Sequence, residues 1–390
     1  MKTFKYDVVI VGGFGHIGLP LGILFAHKGM KTCLYDINKK TYNIIKKGKM
    51  PFTEYGADTL LKNTLKNKKL KLSLNIKSIR EAKNVIITIG TPVDEYLNPK
   101  TKQFVDLFKT IIPYLSKSQN IIIRSSVFPD TCKRIYSLVK AKKFNISYCP
   151  ERIVQGYGIE ELQKLPQIVS GFSKSAINQS SLLFKKFSPK IIKTTVKEAE
   201  LIKLFTNSLR YIQFATANQF YMICENFGVN YNSLKKSLVE GYDRAKWLPS
   251  AGFASGPCLM KDTMQLAAFN KNNFPLGQSA MILNEGLPNF IIDELSKKID
   301  LSKKKVGILG MTFKANIDDT RDSLSFKLAK ILSFKGAKVL CSDEFAKNKE
   351  FISKEEILKQ SDIIIIGTPH KAYSKLKIPK KIKVINIWQS

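Results

Sequence analysis

Short apolar runs alternate with amphipathic stretches along the first 195 residues. The apolar runs are rich in Val and Ile, which is typical of buried strands, and the stretches between them have helical periodicity. A strand–helix alternation of this kind predicts a parallel, doubly wound sheet. The predicted strands are residues 6–11, 31–35, 84–89, 120–124, 146–149 and 168–170, and the clearest helices are 103–115 and 130–139.

A different pattern begins near residue 196. Residues 197–226 contain neither Gly nor Pro, and their apolar residues recur at helical spacing until Gly228, a typical stop signal. A helix of this length exceeds most helices of globular domains and suggests a spine that links domains or subunits.

The strand–helix alternation returns near residue 301, with predicted strands at 305–309, 338–341, 363–366 and 384–387 and a helix at 323–334. This predicts a second, smaller α/β unit. We therefore expect an α/β protein with two Rossmann-like, doubly wound parallel sheets joined by a helical domain. The expected boundaries are 1–195, 196–300 and 301–390.

The net charge of +33 is the unusual number in the composition, since 44% hydrophobic and 24% charged residues are ordinary for a globular protein. A nucleic-acid or anionic-membrane partner is one explanation. However, nucleic-acid readers usually cluster basic residues and use Arg forks, whereas only seven of the 64 basic residues here are Arg. The longest lysine run is 303–305. Scattered lysines favour solvated faces, so we expect no specific nucleic-acid partner and no membrane partner.

The six cysteines show no CxxC pair and no metal-ligand spacing, so no metal site is expected. The apolar segment after Asp7 is interrupted by glycines and His16 and is followed by no small-residue cleavage site. No other segment reaches the roughly 18 apolar residues that span a bilayer. We expect reduced thiols and a cytoplasmic protein.

A glycine-rich segment, GFGHIG at 13–18, follows a predicted strand and precedes a predicted helix. Such a segment makes a tight turn that lets the backbone approach a pyrophosphate at the helix N-terminus. Asp36 ends the next strand, where a carboxylate accepts hydrogen bonds from ribose hydroxyls and repels a 2′-phosphate. The pattern predicts NAD rather than NADP, and a purely structural turn is the alternative. The expected NAD-binding residues of this region are Gly13, Gly15, His16, Ile17, Gly18 and Asp36.

Two further predicted strands end in Gly90-Thr91-Pro92 and Ser125-Ser126. The carboxyl ends of parallel strands face the ligand crevice of a doubly wound sheet. We expect Thr91 and Pro92 to contact the cofactor, although a polar strand terminator would look the same.

Cys258 lies in the loop GFASGPCLMKD at 252–262, where small residues allow close approach and Lys261 would favour a thiolate. An inert thiol is the alternative. Lys203 and Asn207 are four residues apart on the predicted spine helix, so they share a face. That pair suits an oxyanion, but a solvated polar stripe has the same spacing.

Together and in this order, the motifs resemble the UDP-glucose/GDP-mannose dehydrogenase family over nearly the whole chain. The matching segments are the glycine turn with Asp36, Gly90-Thr91-Pro92, Ser125-Ser126, Cys149-Pro150-Glu151-Arg152, Glu200 with Lys203 and Asn207, the Cys258 loop, Asn284-Glu285-Gly286-Leu287-Pro288, and Phe313-Lys314 with Asp319-Thr320-Arg321-Asp322-Ser323. The resemblance implies an NAD domain, a helical spine that forms a homodimer, and a UDP-sugar domain. It also implies oxidation of a sugar C6 alcohol to a carboxylate with two NAD.

Residue roles follow from the same resemblance. Cys258 would carry a thiohemiacetal and then a thioester, and Lys203 and Asn207 would stabilise the oxyanions. Asp262 would assist proton transfer or orient the hydrolytic water, and Glu151 and Ser126 would serve the water that hydrolyses the thioester. The residues expected to contact the substrate are Arg152, Arg244, Lys314 and Arg321.

The chain departs from the family pattern at three places: Ala254-Ser255-Gly256-Pro257 replaces a glycine-rich loop, Ser125-Ser126 stands where Ser-Thr is usual, and Asp130 stands where Gly is usual. The Pro-Glu-Arg segment at 150–152 resembles enzymes of UDP-N-acetylhexosamines, so UDP-ManNAc or UDP-GlcNAc is the expected substrate, for surface polysaccharide synthesis. Cys258-x-x-Lys261-Asp262 resembles UDP-glucose dehydrogenases, which keeps UDP-glucose as an alternative.

Other classes stay open from sequence. A hydroxyacid or 6-phosphogluconate-type dehydrogenase would not need Cys258, and a basic nucleic-acid-binding protein or an inactive homologue that only binds UDP-sugar are further alternatives.

Overall fold

The computed structural model describes residues 4–91, 93–94, 99–140 and 144–388. The chain forms two compact units, residues 1–205 and 206–390, which divide within one long helix. The expected three-domain boundaries therefore stay a prediction.

The strands and helices have the following bounds within the described residues. The strands are β1 (Tyr6–Val11), β2 (Thr32–Tyr35), β3 (Leu70–Ser73), β4 (Ala82–Ile87), β5 (Asn120–Ile123), β6 (Asn145–Tyr148), β7 (Gln167–Gly171), β8 (Ile191–Lys193), β9 (Lys305–Leu309), β10 (Lys338–Ser342), β11 (Ile363–Ile366) and β12 (Lys383–Asn386). The helices are α1 (Gly18–His27), α2 (Lys39–Lys46), α3 (Ala57–Lys66), α4 (Thr101–Ile111), α5 (Thr131–Val139), α6 (Gly158–Lys164), α7 (Lys174–Phe184), α8 (Val196–Phe227), α9 (Tyr231–Val239), α10 (Leu259–Phe269), α11 (Pro275–Ser296), α12 (Leu324–Phe334) and α13 (Lys354–Gln360).

The first unit is built on a sheet whose described strands have the order β3-β2-β1-β4-β5-β6-β7-β8. Neighbouring strands are parallel except β6 and β7, which pair antiparallel through Ser147 and Tyr148. The central strands are buried on both faces because helices cover both sides, which is why they appear in the sequence as continuous apolar runs. The fold class expected from the sequence is confirmed.

The second unit contains a parallel sheet of order β10-β9-β11-β12 among its described strands. Its core is shared between this sheet and the helices before it: Tyr221 of α8 and Ile291 of α11 belong to the same buried cluster as Val306 of β9 and Leu328 of α12. The sheet and the helical layer of this unit are therefore packed around one core.

The long helix predicted at 197–226 is α8, Val196–Phe227. Gly228 follows it with a positive φ of 72°, a conformation that glycine adopts without strain. Within the described residues, none of the helices has the length and apolar character needed to cross a membrane.

Candidate active site

The three glycines of the GFGHIG segment between β1 and α1 have different surroundings. A β-carbon on Gly13 would lie 2.7 Å from the β-carbon of Leu34, and one on Gly18 would lie 2.4 Å from the carbonyl oxygen of Gly12. Both positions must stay glycine for strand and helix to pack. A β-carbon on Gly15, in contrast, would meet only the oxygen of Gly12 at 3.6 Å, so the turn is open at Gly15.

Asp36 comes directly after β2, and its Oδ2 accepts a hydrogen bond from the backbone N–H of Phe14 at 3.1 Å. The carboxylate thus lies against the glycine turn, as the sequence predicts. The N-cap residue of α1, Ile17, makes no side-chain cap, and the first turn holds no acidic residue. These features fit a dinucleotide, because the helix N-terminus attracts phosphate and Asp36 suits the ribose hydroxyls.

His16 occupies this turn with its ring centroid 3.9 Å from that of Phe52. The amide nitrogen of Gln155 lies 3.0 Å from Nδ1 of His16. Gln155 follows the Pro-Glu-Arg segment, so the glycine turn contacts the loop that carries Glu151. Gln155 could not be predicted from the sequence, because no local spacing links it to position 16.

The ends of β4 and β5 meet, since the hydroxyl of Thr91 donates a hydrogen bond to the carbonyl oxygen of Ser126. The hydroxyl of Ser125 donates back to the oxygen of Ile87 at 3.3 Å. The two polar strand ends therefore lie together, as expected for a ligand crevice. Pro92 lies outside the described residues.

Glu151 is almost fully buried, and its carboxylate has a partner on each oxygen. Oε2 forms an ion pair with Arg124, and Oε1 accepts hydrogen bonds from the backbone N–H groups of Arg152 (2.8 Å) and Ile153 (3.2 Å). The residue proposed to serve hydrolytic water is thus held in one orientation by protein groups.

Arg124 is a residue that the sequence analysis missed. Its guanidinium is buried, donates to the carbonyl of Cys149 (3.1 Å) and to Oε1 of Gln167 (2.8 Å), and lies 4.8 Å from the ring centroid of Phe184. Its residue type was a signal in the sequence, because Arg is rare in a chain with 57 lysines. A planar guanidinium can contact several acceptors at once, which a lysine ammonium does less well.

Arg152 and Lys203 are placed differently from each other. Arg152, expected to bind substrate, donates to the carbonyl of Pro166 at 2.6 Å.

Lys203 on α8 is buried at 9% exposure and forms no ion pair with another described residue. A buried ammonium of this kind fits a negatively charged ligand or intermediate.

One turn earlier on α8, Glu200 is buried and accepts hydrogen bonds from the N–H groups of Asp130 (2.9 Å) and Cys132 (3.0 Å). Burial raises the pKa of Glu200. Asp130 has a φ of +67°, which accounts for Gly being usual at this position. The family motif residue Glu200 is therefore a structural link to the start of α5.

Cys258 is the N-cap residue of α10 and is exposed. The helix N-terminus carries a partial positive charge that favours a thiolate. The other cysteines differ: Cys33, Cys132, Cys149 and Cys224 are buried, and burial raises the pKa of Cys33 and of Cys149 to about 12. Cys258 is the cysteine whose position suits a nucleophile.

Asp262, one turn into α10, is 1% exposed and joins two other motif residues. Its Oδ2 accepts a hydrogen bond from the side-chain amide of Asn207, and its Oδ1 lies 3.4 Å from Nζ of Lys261. The backbone carbonyl of Cys258 accepts the N–H of Asp262 at 2.9 Å, as the first main-chain bond of α10. The second unit therefore brings together three residues predicted to be catalytic: Cys258, Asp262 and Asn207.

Of the predicted substrate residues in this unit, Arg321 lies near the cysteine. Its guanidinium forms a bidentate pair with Asp319, with Nη2 at 2.6 Å from Oδ2. The pKa of Arg321 is raised, mainly by that hydrogen bond, and the charge of Cys258 is a smaller contribution. Lys314 is half-buried after β9, whereas Arg244 is exposed on the short helix Asp243–Ala245.

The loop before Cys258 is held by hydrogen bonds at two glycines, Gly252 and Gly256. Asn218 of α8 clamps Gly252, donating to its carbonyl at 3.1 Å and accepting from its N–H at 2.8 Å. Further along, the N–H of Gly256 donates to the carbonyl of Asp322 at 3.2 Å, and a β-carbon on Gly256 would lie 2.4 Å from the ring of Phe313. The loop that looked atypical in sequence is thus fixed to the Phe313 and Asp322 motif.

The Asn284 motif supports the same clamp. Asn284 of α11 accepts a hydrogen bond from the amide of Asn218 at 2.9 Å and donates to the carbonyl of Tyr211 at 3.0 Å, and both asparagines are fully buried. The sequence analysis noted this motif but assigned it no role.

Comparison with known proteins matches most of the chain, in three parts. Residues 7–188 match the NAD binding domain, 197–285 the central domain and 307–387 the UDP binding domain of the UDP-glucose/GDP-mannose dehydrogenase family. Together with the open glycine turn, these matches define an NAD-dependent nucleotide-sugar dehydrogenase.

Similar proteins cover nearly the full length. A UDP-N-acetyl-D-mannosamine dehydrogenase of Methanococcus maripaludis (strain C7 / ATCC BAA-1331) is 31% identical over 96% of this chain and 90% of its own. A UDP-glucose 6-dehydrogenase of Rickettsia felis is 28% identical over 93% and 87%. The solved UDP-D-ManNAc dehydrogenase of Pyrococcus horikoshii has a TM-score of 0.89 at 27% identity, over 97% and 94%. The chain therefore belongs to the UDP-glucose/GDP-mannose dehydrogenase family, which confirms the resemblance found in the sequence.

Proposed function

We propose that the protein oxidises the C6 alcohol of a UDP-N-acetylhexosamine, UDP-ManNAc or UDP-GlcNAc, to the uronate. The observation that carries this proposal is the arrangement of Cys258, Asp262 and Asn207 at the start of α10, in a chain 31% identical to a UDP-N-acetyl-D-mannosamine dehydrogenase. When bound, NAD supplies the hydride acceptor, and Gly13, Gly15, Ile17, Gly18 and Asp36 would hold it, with His16, Thr91 and Pro92 expected beside it.

Cys258 is proposed to hold C6 of the sugar in a covalent adduct between the two oxidations. Its thiolate forms a C–S bond with the C6 aldehyde, and the carbonyl oxygen takes a proton to give a thiohemiacetal. Loss of hydride and of that proton leaves a thioester. Water then adds to the thioester carbon, the C–S bond breaks, and the products are the carboxylate and the free thiol.

Asn207 is proposed to donate to the oxyanion. An amide nitrogen has two hydrogens, and Asp262 accepts one of them, so the second can point to the reacting oxygen. Asp262 thereby fixes the amide, and its part in proton transfer is proposed from the resemblance. Lys203 adds positive charge to the same task, as the resemblance implies.

Glu151 and Ser126 are proposed to position the hydrolytic water. The support for Glu151 is its fixed carboxylate, held by Arg124 and two backbone N–H groups. Lys314, Arg321, Arg152 and Arg244 stay proposed substrate contacts.

A homodimer through α8 is part of the proposal. In the second unit, the exposed apolar residues Leu209, Phe220, Ile223 and Phe227 follow one another at spacings of about three helical turns or one turn, so they share a face of α8, and they are 40–83% exposed. An exposed apolar stripe of this kind fits a second copy of the helix. Light scattering on the purified protein, with Ile223→Glu as the disrupting variant, tests it.

We also propose a cytoplasmic location and a role in surface polysaccharide synthesis. All six cysteines lie among the described residues and are free, which fits a reducing compartment.

The test is to incubate the protein with NAD and a panel of UDP-sugars and to count NADH formed per sugar consumed. We expect two NADH per UDP-N-acetylhexosamine, and no product with Cys258→Ala. UDP-glucose in the same panel tests the alternative favoured by the Cys-x-x-Lys-Asp segment. One NADH per sugar, or activity that survives Cys258→Ala, would contradict the mechanism.

A further inference from the structure

Lysine begins three of the four parallel strands in the second sheet: Lys305, Lys338 and Lys383. Lys338 pairs in register with Lys305, and Ile363 at the start of β11 pairs with Lys383. Because all four strands are parallel, these lysines lie at one end of the sheet. The opposite end carries Gly310, which follows β9.

The chain segments that enter these strands add more lysines. The backbone N–H of Lys338 donates to the carbonyl of Lys304 at 2.9 Å, and that of Lys383 donates to the carbonyl of Asp362 at 3.2 Å. The entering segments are therefore in contact across the end of the sheet. We call the following six exposed residues the basic edge: Lys303, Lys305, Lys338, Lys380, Lys381 and Lys383.

The basic edge is neutralised only in part, by Asp300 near Lys303 and by Asp362. None of its six lysines forms an ion pair with another residue of the described chain. Asp362 lies among them with its carboxylate on the backbone N–H of Lys305 at 2.8 Å, so it offsets about one of the six positive charges. No acidic residue follows Asp362 in the sequence.

Charge repulsion makes this arrangement costly without a partner. Neighbouring strands are about 4.8 Å apart, so the charges of the edge lie within a Debye length of one another. Like charges directly opposite in a sheet destabilise it, as for Lys305 and Lys338. An anionic surface would remove that cost.

An exposed aromatic residue adjoins the basic edge. Phe334 at the end of α12 is 88% exposed. Two residues on, a β-carbon on Gly336 would lie 3.2 Å from the β-carbon of Ser302, which places this turn beside Lys303. Lysines around an exposed apolar side chain are typical of proteins that lie on a lipid surface, where the ring enters the headgroup region.

The chemistry of the edge favours lipid over nucleic acid. Nucleic-acid readers use Arg forks for bases and phosphates, and the last Arg of the chain is Arg321, which is already paired with Asp319. Lysine, in contrast, acts as a point charge that suits diffuse anionic headgroups.

We propose that the basic edge and Phe334 form a peripheral docking surface for an anionic lipid bilayer. The expectation of no membrane partner rested on lysines scattered along the sequence, and the fold gathers six of them in one place. The proposal is independent of the substrate and mechanism proposed above.

The experiment is co-sedimentation of the full-length protein with phosphatidylcholine vesicles, with and without phosphatidylglycerol, in roughly 0.1 M salt. The edge variant is Lys380→Gln/Lys381→Gln/Lys383→Gln. The matched control is Lys185→Gln/Lys186→Gln/Lys190→Gln, three neighbouring exposed lysines of the first unit that lose the same charge. NAD binding and thermal midpoints check that both variants are folded.

We expect binding to the anionic vesicles only, a fall on the order of 100-fold in the edge variant because each lysine contributes about fivefold, and little change in the control. Phe334→Ser should weaken binding by about tenfold. Equal losses in both triple variants would mean that binding follows total charge, and would overturn the proposal. Absence of vesicle binding, or edge-dependent binding of RNA that exceeds vesicle binding, would overturn it as well.

Discussion

The buried pair of Arg124 and Glu151 gives the sharpest test of how the first unit holds its candidate residues. Arg124→Met removes a guanidinium that contacts Glu151, Gln167 and the carbonyl of Cys149, and leaves a carboxylate almost fully buried. Breaking one partner of such a pair costs about 3–5 kcal/mol, because the remaining charge is uncompensated. We therefore expect the free energy of unfolding of the first unit to fall by that amount.

The assay is urea denaturation followed by far-UV circular dichroism, since both tryptophans, Trp247 and Trp388, lie in the second unit and do not report on the first. The double variant Arg124→Met/Glu151→Met is the control. It removes both charges, so its loss should be smaller than the sum of the two single losses by about 2 kcal/mol or more. Single losses that add within about 0.5 kcal/mol would refute the reasoning, because independent residues behave that way.

Three further predictions follow from backbone geometry and titration. Gly15→Ala should leave the melting temperature unchanged but weaken NAD binding measured by calorimetry, whereas Gly13→Ala should lower the melting temperature because of its 2.7 Å clash. Asp130→Gly should raise the free energy of unfolding by about 0.5–1 kcal/mol, since φ is +67° there; an unchanged urea midpoint would contradict this. Burial would raise the pKa of Asp343, but hydrogen bonds from His370 and from backbone N–H groups hold the pKa of this carboxyl below 3.8. The free energy of unfolding should therefore fall as the pH drops through that lowered pKa. In acid titrations, Asp343→Asn should lose this pH dependence.

The sequence predicted the described strands except the two at the edges of the first sheet, and it predicted both edge strands of the second sheet, β10 and β12, within one residue of their bounds. β1, β9 and β11 have the expected bounds, because strands buried on both faces are continuous apolar runs. β3 and β8 were not predicted, since Leu70 is the only buried residue of β3 and β8 has none. The antiparallel pairing of β6 and β7 has no signal in periodicity, which carries no strand direction.

The candidate residues divide in the same way between local and long-range information. Gly15, Asp36 and Cys258 were identified because their local sequence determines a turn, a strand end and a helix start. The partners of Arg124 lie 25 to 43 residues away, and those of Asn218 lie 34 and 66 residues away. Such contacts depend on which strands and helices become neighbours, and one sequence does not contain that information in its spacing.

The two sheets show how one local geometry serves two purposes. Asp343 follows β10 as Asp36 follows β2, and each carboxylate accepts backbone N–H groups from the turn after the neighbouring strand. In the second sheet, however, the carboxylate of Asp343 is fully buried, and Nε2 of His370 lies 3.1 Å from its Oδ2. Its oxygens therefore form hydrogen bonds within the protein and are not open to a ligand. Asp36 is partly exposed beside an open glycine turn. The difference that makes the first sheet fit NAD is therefore the space left around the carboxylate and Gly15, and a strand-end aspartate is not sufficient to predict a cofactor.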